Sequence, residues 1–388
     1  MDFTARTRHL RPEGAYQVLS QARQLEAGGK DIIHLEIGQP YEDTFPDISK
    51  AGIEAIQDGH TRYTPPAGLP DLRQEIAEHA GKRRGITIER EEVVVSPGAK
   101  PNLFFPTLAL VEPGDEVLYP DPGFPTYAAM IGVAGGKAIP IPLREEQHFS
   151  FDMDTFRRHI NDRTRLIILN SPGNPTGAIL PRRDLEKIAD AARTHDCWVL
   201  SDEIYSRLCY EEDAPSIASL PGMKQRTIIV DGFSKTYAMT GWRLGYGIMP
   251  EPLARRVELL LTHATGSSAH FTQLAGIQAL TGSQSPVDKM RNQYRQRRDT
   301  LLAGLNRLPG MSCLTPSGAF YVFPNISALG LSSQELADFL LHEAGVAVLP
   351  GTAFGKHGEG YLRLCYANSL ARIKEALARM ETALQRLT

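Results

Sequence analysis

The sequence predicts an α/β protein, with a large domain built on a mostly parallel sheet sandwiched by helices and a smaller α/β domain beside it. Three observations carry this. Over about residues 90 to 250, short apolar runs, glycine turns and helix-length amphipathic segments alternate, as strands joined by crossover helices do. At 388 residues the chain exceeds what one core commonly supports. A long charged amphipathic segment, 286–308, then separates this alternation from a second group of short strands. The implied boundaries are 46–285 for the large domain, with 1–45 and 286–388 as an N-terminal arm and the small domain.

Composition narrows the function classes. Hydrophobic residues are 42%, charged residues 22% and the formal net charge is −3, so neither nucleic acid nor an anionic membrane is an expected partner. The basic run Lys82-Arg83-Arg84 reads as a solvated helix end. The longest apolar runs, such as 166–169, are strand-sized, and the opening Met1-Asp2-Phe3-Thr4-Ala5-Arg6 lacks a leader pattern. Cys197, Cys209, Cys313 and Cys365 show no CxxC spacing, which predicts no disulfide framework and no metal site, and fits a reducing cytoplasm.

In chain order, residues 1–30 read as an arm and an amphipathic helix with Tyr16, Val18, Leu19 and Leu25 on its apolar face. A short strand at 32–37 ends in Gly38, which either lets a backbone N–H approach a ligand or simply turns the chain before Pro40. Helices are expected at 48–58 and 71–84, joined by a stiff Pro/Gly loop that exposes Tyr63. Strand 93–95 runs through Ser96-Pro97-Gly98 into a helix start at Ala99-Lys100-Pro101, where free N–H groups suit a phosphate. A strand at 116–119 leads to Phe124, an aromatic able to cover a ring or to anchor a loop. Strand 166–170 precedes Asn174 in a loop shaped by prolines and glycines. A helix to residue 194 and a strand at 198–202 follow, and an aspartate ending an apolar strand, Asp202, needs a cationic or protonated partner. The second group has strands at 318–323, 346–351 and 361–367, a helix at 333–343 between the first two, and a closing helix at 371–387. The last strand carries Arg363 amid apolar neighbours, a natural grip for a carboxylate.

The segment 230–243 organises these pieces. Lys235 stands just past the strand 227–230, among small and hydroxylic residues, with Ser234 before it and Arg243 about two helical turns on. A lysine in that setting becomes a nucleophile towards a carbonyl, and a hydroxyl plus a guanidinium fork suit a phosphate. Together they suggest pyridoxal 5′-phosphate, although the stretch alone also reads as a solvated turn lysine with Arg243 paired at the surface. The rest of the chain favours the first reading. In parallel sheets ligands bind beyond the strands' carboxyl ends, and Gly98, Phe124, Asn174, Asp202 and Lys235 are all expected there.

Pro113-Gly114-Asp115, Asn174-Pro175-Thr176-Gly177, Ser201-Asp202-Glu203-Ile204-Tyr205, Phe233-Ser234-Lys235-Thr236, Gly241-Trp242-Arg243 and Arg363 stand in one order over nearly the whole chain. In this the sequence resembles the class I/II aminotransferases related to aspartate aminotransferase, pyridoxal-phosphate enzymes of fold type I. The resemblance implies that Lys235 carries the cofactor as a Schiff base and shuttles a proton at the substrate Cα. It implies that Asp202 keeps the pyridine nitrogen protonated, that Asn174 and Tyr205 bond the ring's 3′ oxygen, and that Phe124 stacks on the ring. Ala99, Lys100, Ser234 and Arg243 would hold the phosphate, while Arg363, Asn174 and the N–H of Gly38 would take the substrate α-carboxylate. Tyr63 would reach a partner subunit's phosphate, implying a homodimer with shared sites acting on L-amino acids and 2-oxo acids.

Two departures stand out. Gly232 occupies a place where the family often has a second phosphate-binding hydroxyl, and no arginine in 262–271 matches one that grips a side-chain carboxylate in some aspartate enzymes. The rival readings are a PLP β-lyase of the same fold, disfavoured because many carry histidine where Tyr205 stands, and a non-catalytic effector-binding protein of a transcription regulator. The latter would need an added DNA-binding domain, for which no N-terminal extension is seen. A nicotinamide oxidoreductase is a poor fit without a glycine fingerprint after the early strands.

Overall fold

The computed structural model describes residues 3–8, 10 and 12–387; Met1 and Asp2, part of the stretch read for a leader, lie outside them. Among the described residues thirteen strands occur in chain order. They are β1 (Ile33–His34), β2 (Val93–Ser96), β3 (Glu116–Asp121), β4 (Lys137–Arg144), β5 (Ser150–Phe151), β6 (Thr164–Asn170) and β7 (Trp198–Asp202). After these come β8 (Thr227–Gly232), β9 (Gly245–Ile248), β10 (Tyr321–Val322), β11 (Val346–Ala347), β12 (Leu349–Pro350) and β13 (Leu362–Cys365).

Eight strands form one sheet in the order β2-β9-β8-β7-β6-β3-β4-β5. Its centre is parallel, from β8 through β7, β6 and β3 to β4, as expected. The strand β9, which the sequence reading did not foresee, runs antiparallel between β8 and β2, so β2 again points the same way as β8. The strands β2, β3, β6, β7 and β8 therefore end on one edge. Both faces are covered, and the residues say why: successive side chains of one strand enter opposite cores. Val94, Leu166, Ile168 and Ile228 pack with Leu103, Met130 and Leu253 on one face, whereas Val93, Val95 and Ile229 meet Leu72, Ile76 and Ala275 on the other. Ile167 and Leu169 join Leu185 and Ile188 of the helix Arg182–Thr194.

The strand β4, which carries Pro140 and Pro142, was not foreseen either. Beyond β3 it is paired only at its last two residues, by β5. The prolines, two apart, turn their missing N–H groups to one side, which an almost open strand tolerates.

Helix Ser285–Leu305 leads from this sheet to the three-stranded sheet β10-β13-β12, and helix Leu370–Leu384 closes the same core through Ile373, Met380 and Leu384. Tyr205, Leu208 and Tyr210, just beyond β7, are buried in that second core too. The strand foreseen at 318–323 shortens to β10, since Ala319 takes a φ of 58°. Tyr16 is 64% exposed on its helix Gly14–Ala27, which buries Val18, as expected, and Ala22. Among the described residues no helix is long and apolar enough to cross a membrane, and no cluster of three metal-ligating side chains occurs.

Candidate active site

The carboxyl edge of the large sheet collects the chemistry. Lys235 lies in the single turn Phe233–Thr236 after β8, and its Nζ donates to the carbonyl of Gly38 at 2.6 Å. Burial is the main cause that pulls its amine from an ordinary 10.5 to about 8; the cations Arg363, Arg243 and Lys100 push the same way. Asp202, the last residue of β7, accepts from the Tyr127 hydroxyl at 2.7 Å. Burial pushes its carboxyl up to about 6, with the charges of Asp231 and Glu203 adding to the rise.

Arg363 on β13 is buried, and its Nη1 donates to Asn174 Oδ1 at 3.2 Å while Nη2 donates to the Glu36 carbonyl. Among the described residues its Nε faces no acceptor. Asn174 is set from β6 by its own N–H, which donates to Asn170 Oδ1 at 2.8 Å. The Tyr205 hydroxyl shares a hydrogen bond of 2.8 Å with that of Tyr321, both phenols fully buried and held far from ionising by that burial.

The phosphate candidates form a second group. Ala99 caps the helix Lys100–Leu110 after β2. Gly98, at φ 83°, lies so close to the Arg243 guanidinium that a Cβ there would overlap it. The Arg243 Nη1 donates to the Thr240 carbonyl at 3.0 Å and its Nη2 to the Pro97 carbonyl at 3.5 Å, while the residue stays exposed. Ser234 is half-buried beside Lys235. Lys100 turns its side chain to Glu13 and over the Phe124 ring, 5.1 Å from its centroid. Phe124 is half-buried and edge-on to Tyr127 at 5.8 Å. Gly232 also has a physical reason: a Cβ there would stand 3.0 Å from the Gly245 Cα on β9, so no hydroxyl-bearing side chain fits without a shift. Tyr63 alone is not brought to this edge by contacts within the chain; it is 100% exposed.

Three features escaped the sequence reading. Tyr127 and Tyr321 were seen only as parts of aromatic stretches, because nothing local shows which group each of their hydroxyls meets. The third is a correction: Arg84 is not a solvated helix end. Its side chain is 5% exposed and bridges Glu203 at 2.8 Å and Asp231 at 3.1 Å, the neighbours of Asp202 and of the Lys235 turn. Ser201 and Ser216 also donate to Glu203, and Ser206 and the Gly232 N–H to Asp231. The sequence signal was the pair of carboxylates ending two apolar strands, which required a buried cation somewhere.

A phosphorylated pyridine aldehyde fits these groups. A half-buried amine of lowered proton affinity suits its carbonyl, and a buried carboxylate without a cation beside it suits a protonated ring nitrogen. The Gly98–Arg243 cradle beside a helix start suits its phosphate.

The comparisons with known proteins agree. The model of the family "Aminotransferase class I and II" matches residues 30–380. An aspartate aminotransferase of Pyrococcus horikoshii is 42% identical over 92% of this chain and 91% of its own. An aromatic-amino-acid aminotransferase of Thermococcus litoralis is 40% identical over 93% and 94%. The solved aspartate aminotransferase of Thermus thermophilus with maleate superposes with a TM-score of 0.95, at 37% identity over 99% of this chain and 100% of that one. Fold, site and kinship thus lead to one conclusion: the chain belongs to the class I and II aminotransferases and is a pyridoxal-phosphate-dependent transaminase.

Proposed function

We propose that this transaminase moves the amino group of an L-amino acid to a 2-oxo acid with Lys235 as the attachment point of the cofactor aldehyde. One observation carries the reading. The three-residue segment from Glu36 to Gly38 holds both cations by its carbonyls, Arg363 through Glu36 and Lys235 through Gly38. A carboxylate gripped by Arg363 is thereby brought beside the lysine.

Bound pyridoxal phosphate supplies the electron-accepting ring that makes loss of the substrate's Cα proton feasible. Lys235 takes that proton and returns it; an amine with a proton affinity near 8 is partly neutral around neutral pH and exchanges protons readily. Asp202 keeps the ring nitrogen protonated, since a cation opposite relieves its buried charge. Tyr205 and Asn174 bond the 3′ oxygen, and Phe124 covers the ring. The N–H groups of Ala99 and Lys100, the Ser234 hydroxyl and the Arg243 fork hold the phosphate. Arg363, Asn174 and the Gly38 N–H orient the α-carboxylate.

Tyr63 serves the phosphate of a second copy in a homodimer with shared sites. Its full exposure supports this, as do Ile53 and Ile56, exposed on the preceding helix Pro46–Gln57. The division into 46–285 and 286–388 with 1–45, and a cytoplasmic setting for the four unpaired cysteines, complete the reading.

The test is a half-reaction. The holoenzyme's visible spectrum is followed while aspartate, aromatic and small apolar amino acids are added, with ammonia assayed in parallel. Conversion to the amine form of the cofactor without ammonia is expected, with loss of turnover in Lys235→Ala. Ammonia with pyruvate from cysteine-like substrates would instead make the protein a β-lyase, and near-normal turnover of Lys235→Ala would refute the role of Lys235.

A further inference from the structure

We infer that Tyr321 is a positioning residue of this site, linking the arginine assigned to the substrate carboxylate to the tyrosine assigned to the cofactor's 3′ oxygen. The inference rests on the roles given above to Arg363 and Tyr205.

Tyr321 comes from β10 and is 1% exposed. Its hydroxyl pairs with that of Tyr205 at 2.8 Å, the rings standing edge-on at 5.7 Å. The Arg363 guanidinium lies over its ring, 4.5 Å from the centroid. Its hydroxyl also sits so close to Gly38 that a Cβ there would overlap it, and Gly38 holds Lys235 through its carbonyl. One buried side chain thus touches the groups assigned to substrate, to cofactor and to the segment holding the lysine.

The chemistry follows from what a phenol can do. Tyr205 has one proton to give and two lone pairs. Either hydroxyl can donate across this pair; with Tyr321 as the donor, Tyr205 keeps its proton for an acceptor elsewhere, and hydrogen bonds in such a chain strengthen one another. A cation over the Tyr321 ring draws electron density from it and makes its hydroxyl a better donor. A carboxylate on Arg363 offsets that charge, so occupying the substrate site weakens the donation that Tyr205 receives. The other groups facing the pair are Asp202 from β7 and the Cys365 thiol from β13. Burial pushes that thiol up to about 11, which keeps it neutral at working pH. Neither can replace the link, because Asp202 is already bonded to Tyr127 and a thiol is a weak donor.

The experiment uses holoenzyme of wild type, Tyr321→Phe, Tyr205→Phe and the double variant. Each change deletes one hydroxyl and keeps the ring, so packing against Arg363 is preserved. The reading is the pH midpoint of the cofactor's visible absorbance, without ligand and with saturating maleate as an unreactive carboxylate. Tyr321→Phe should move the midpoint by roughly half a unit to one unit, in the direction of Tyr205→Phe. The double variant should move it no further than Tyr205→Phe alone, and the maleate-induced shift should shrink in Tyr321→Phe while KM for the amino donor changes little. No shift in Tyr321→Phe beside a clear shift in Tyr205→Phe, or additive shifts in the double variant, would overturn the inference and leave the Tyr205 assignment standing. No shift in either single variant would overturn both.

Discussion

Substituting Lys235 with methionine in the cofactor-free protein tests the physical basis of its reactivity. The amine falls from 10.5 to about 8 chiefly because it is buried, so the folded chain releases a proton that the unfolded chain still binds between those two values. Stability must therefore rise with pH across that window, and the contribution is level below about 8 and above 10.5. At about 1.36 kcal/mol per unit the shift bounds the effect at about 3.4 kcal/mol. Lys235 keeps some solvent contact, and screening trims the expectation to about 2–3 kcal/mol. The assay is urea unfolding of the cofactor-free wild type and Lys235→Met, in steps from below pH 8 to above pH 10.5, read as midpoints at unchanged slope. Other titrations cancel in the difference. The wild type should gain on the variant through the window and nowhere else. A difference that stays constant would mean the amine has an ordinary proton affinity, and burial would not be what readies it as nucleophile and base.

Arg84→Met should destabilise the protein by about 3–5 kcal/mol, because it strands the Glu203 and Asp231 carboxylates in the interior. An unfolding midpoint close to wild type would show that the remaining serine and backbone donors satisfy both. Gly38→Ala places a methyl onto the Tyr321 hydroxyl, so about 1–3 kcal/mol of overpacking strain is expected, with kcat/KM at least about tenfold lower. An unchanged kcat/KM would show that the Tyr205–Tyr321 pair need not stay in place.

Periodicity and punctuation carried most of the fold. Apolar runs ending in Gly98, Asn174, Asp202 and Lys235 were readable as strands whose carboxyl ends share an edge, because strand, turn and crossover helix are local patterns. The antiparallel β9 and the proline-bearing β4 were not legible, since their pairing is set by neighbours rather than by their own residues. At the site, the types and order of Lys235, Asp202, Asn174, Tyr205, Arg243 and Arg363 were evident in the sequence. Their partners were not. Gly38 lies 197 positions from the lysine it holds, and Glu36 lies 327 from the arginine it anchors. Tyr205 meets Tyr321 116 positions away. Arg84 looked like a surface residue because a run of basic residues ending a helix is usually solvated, and only the packing of that helix end against β7 and β8 turned it inward. The sequence by itself determined which chemistries were present and which strands delivered them. Tertiary structure alone decided who meets whom and how deeply each charge is buried, because proton affinities depend on the distance and dielectric that folding creates.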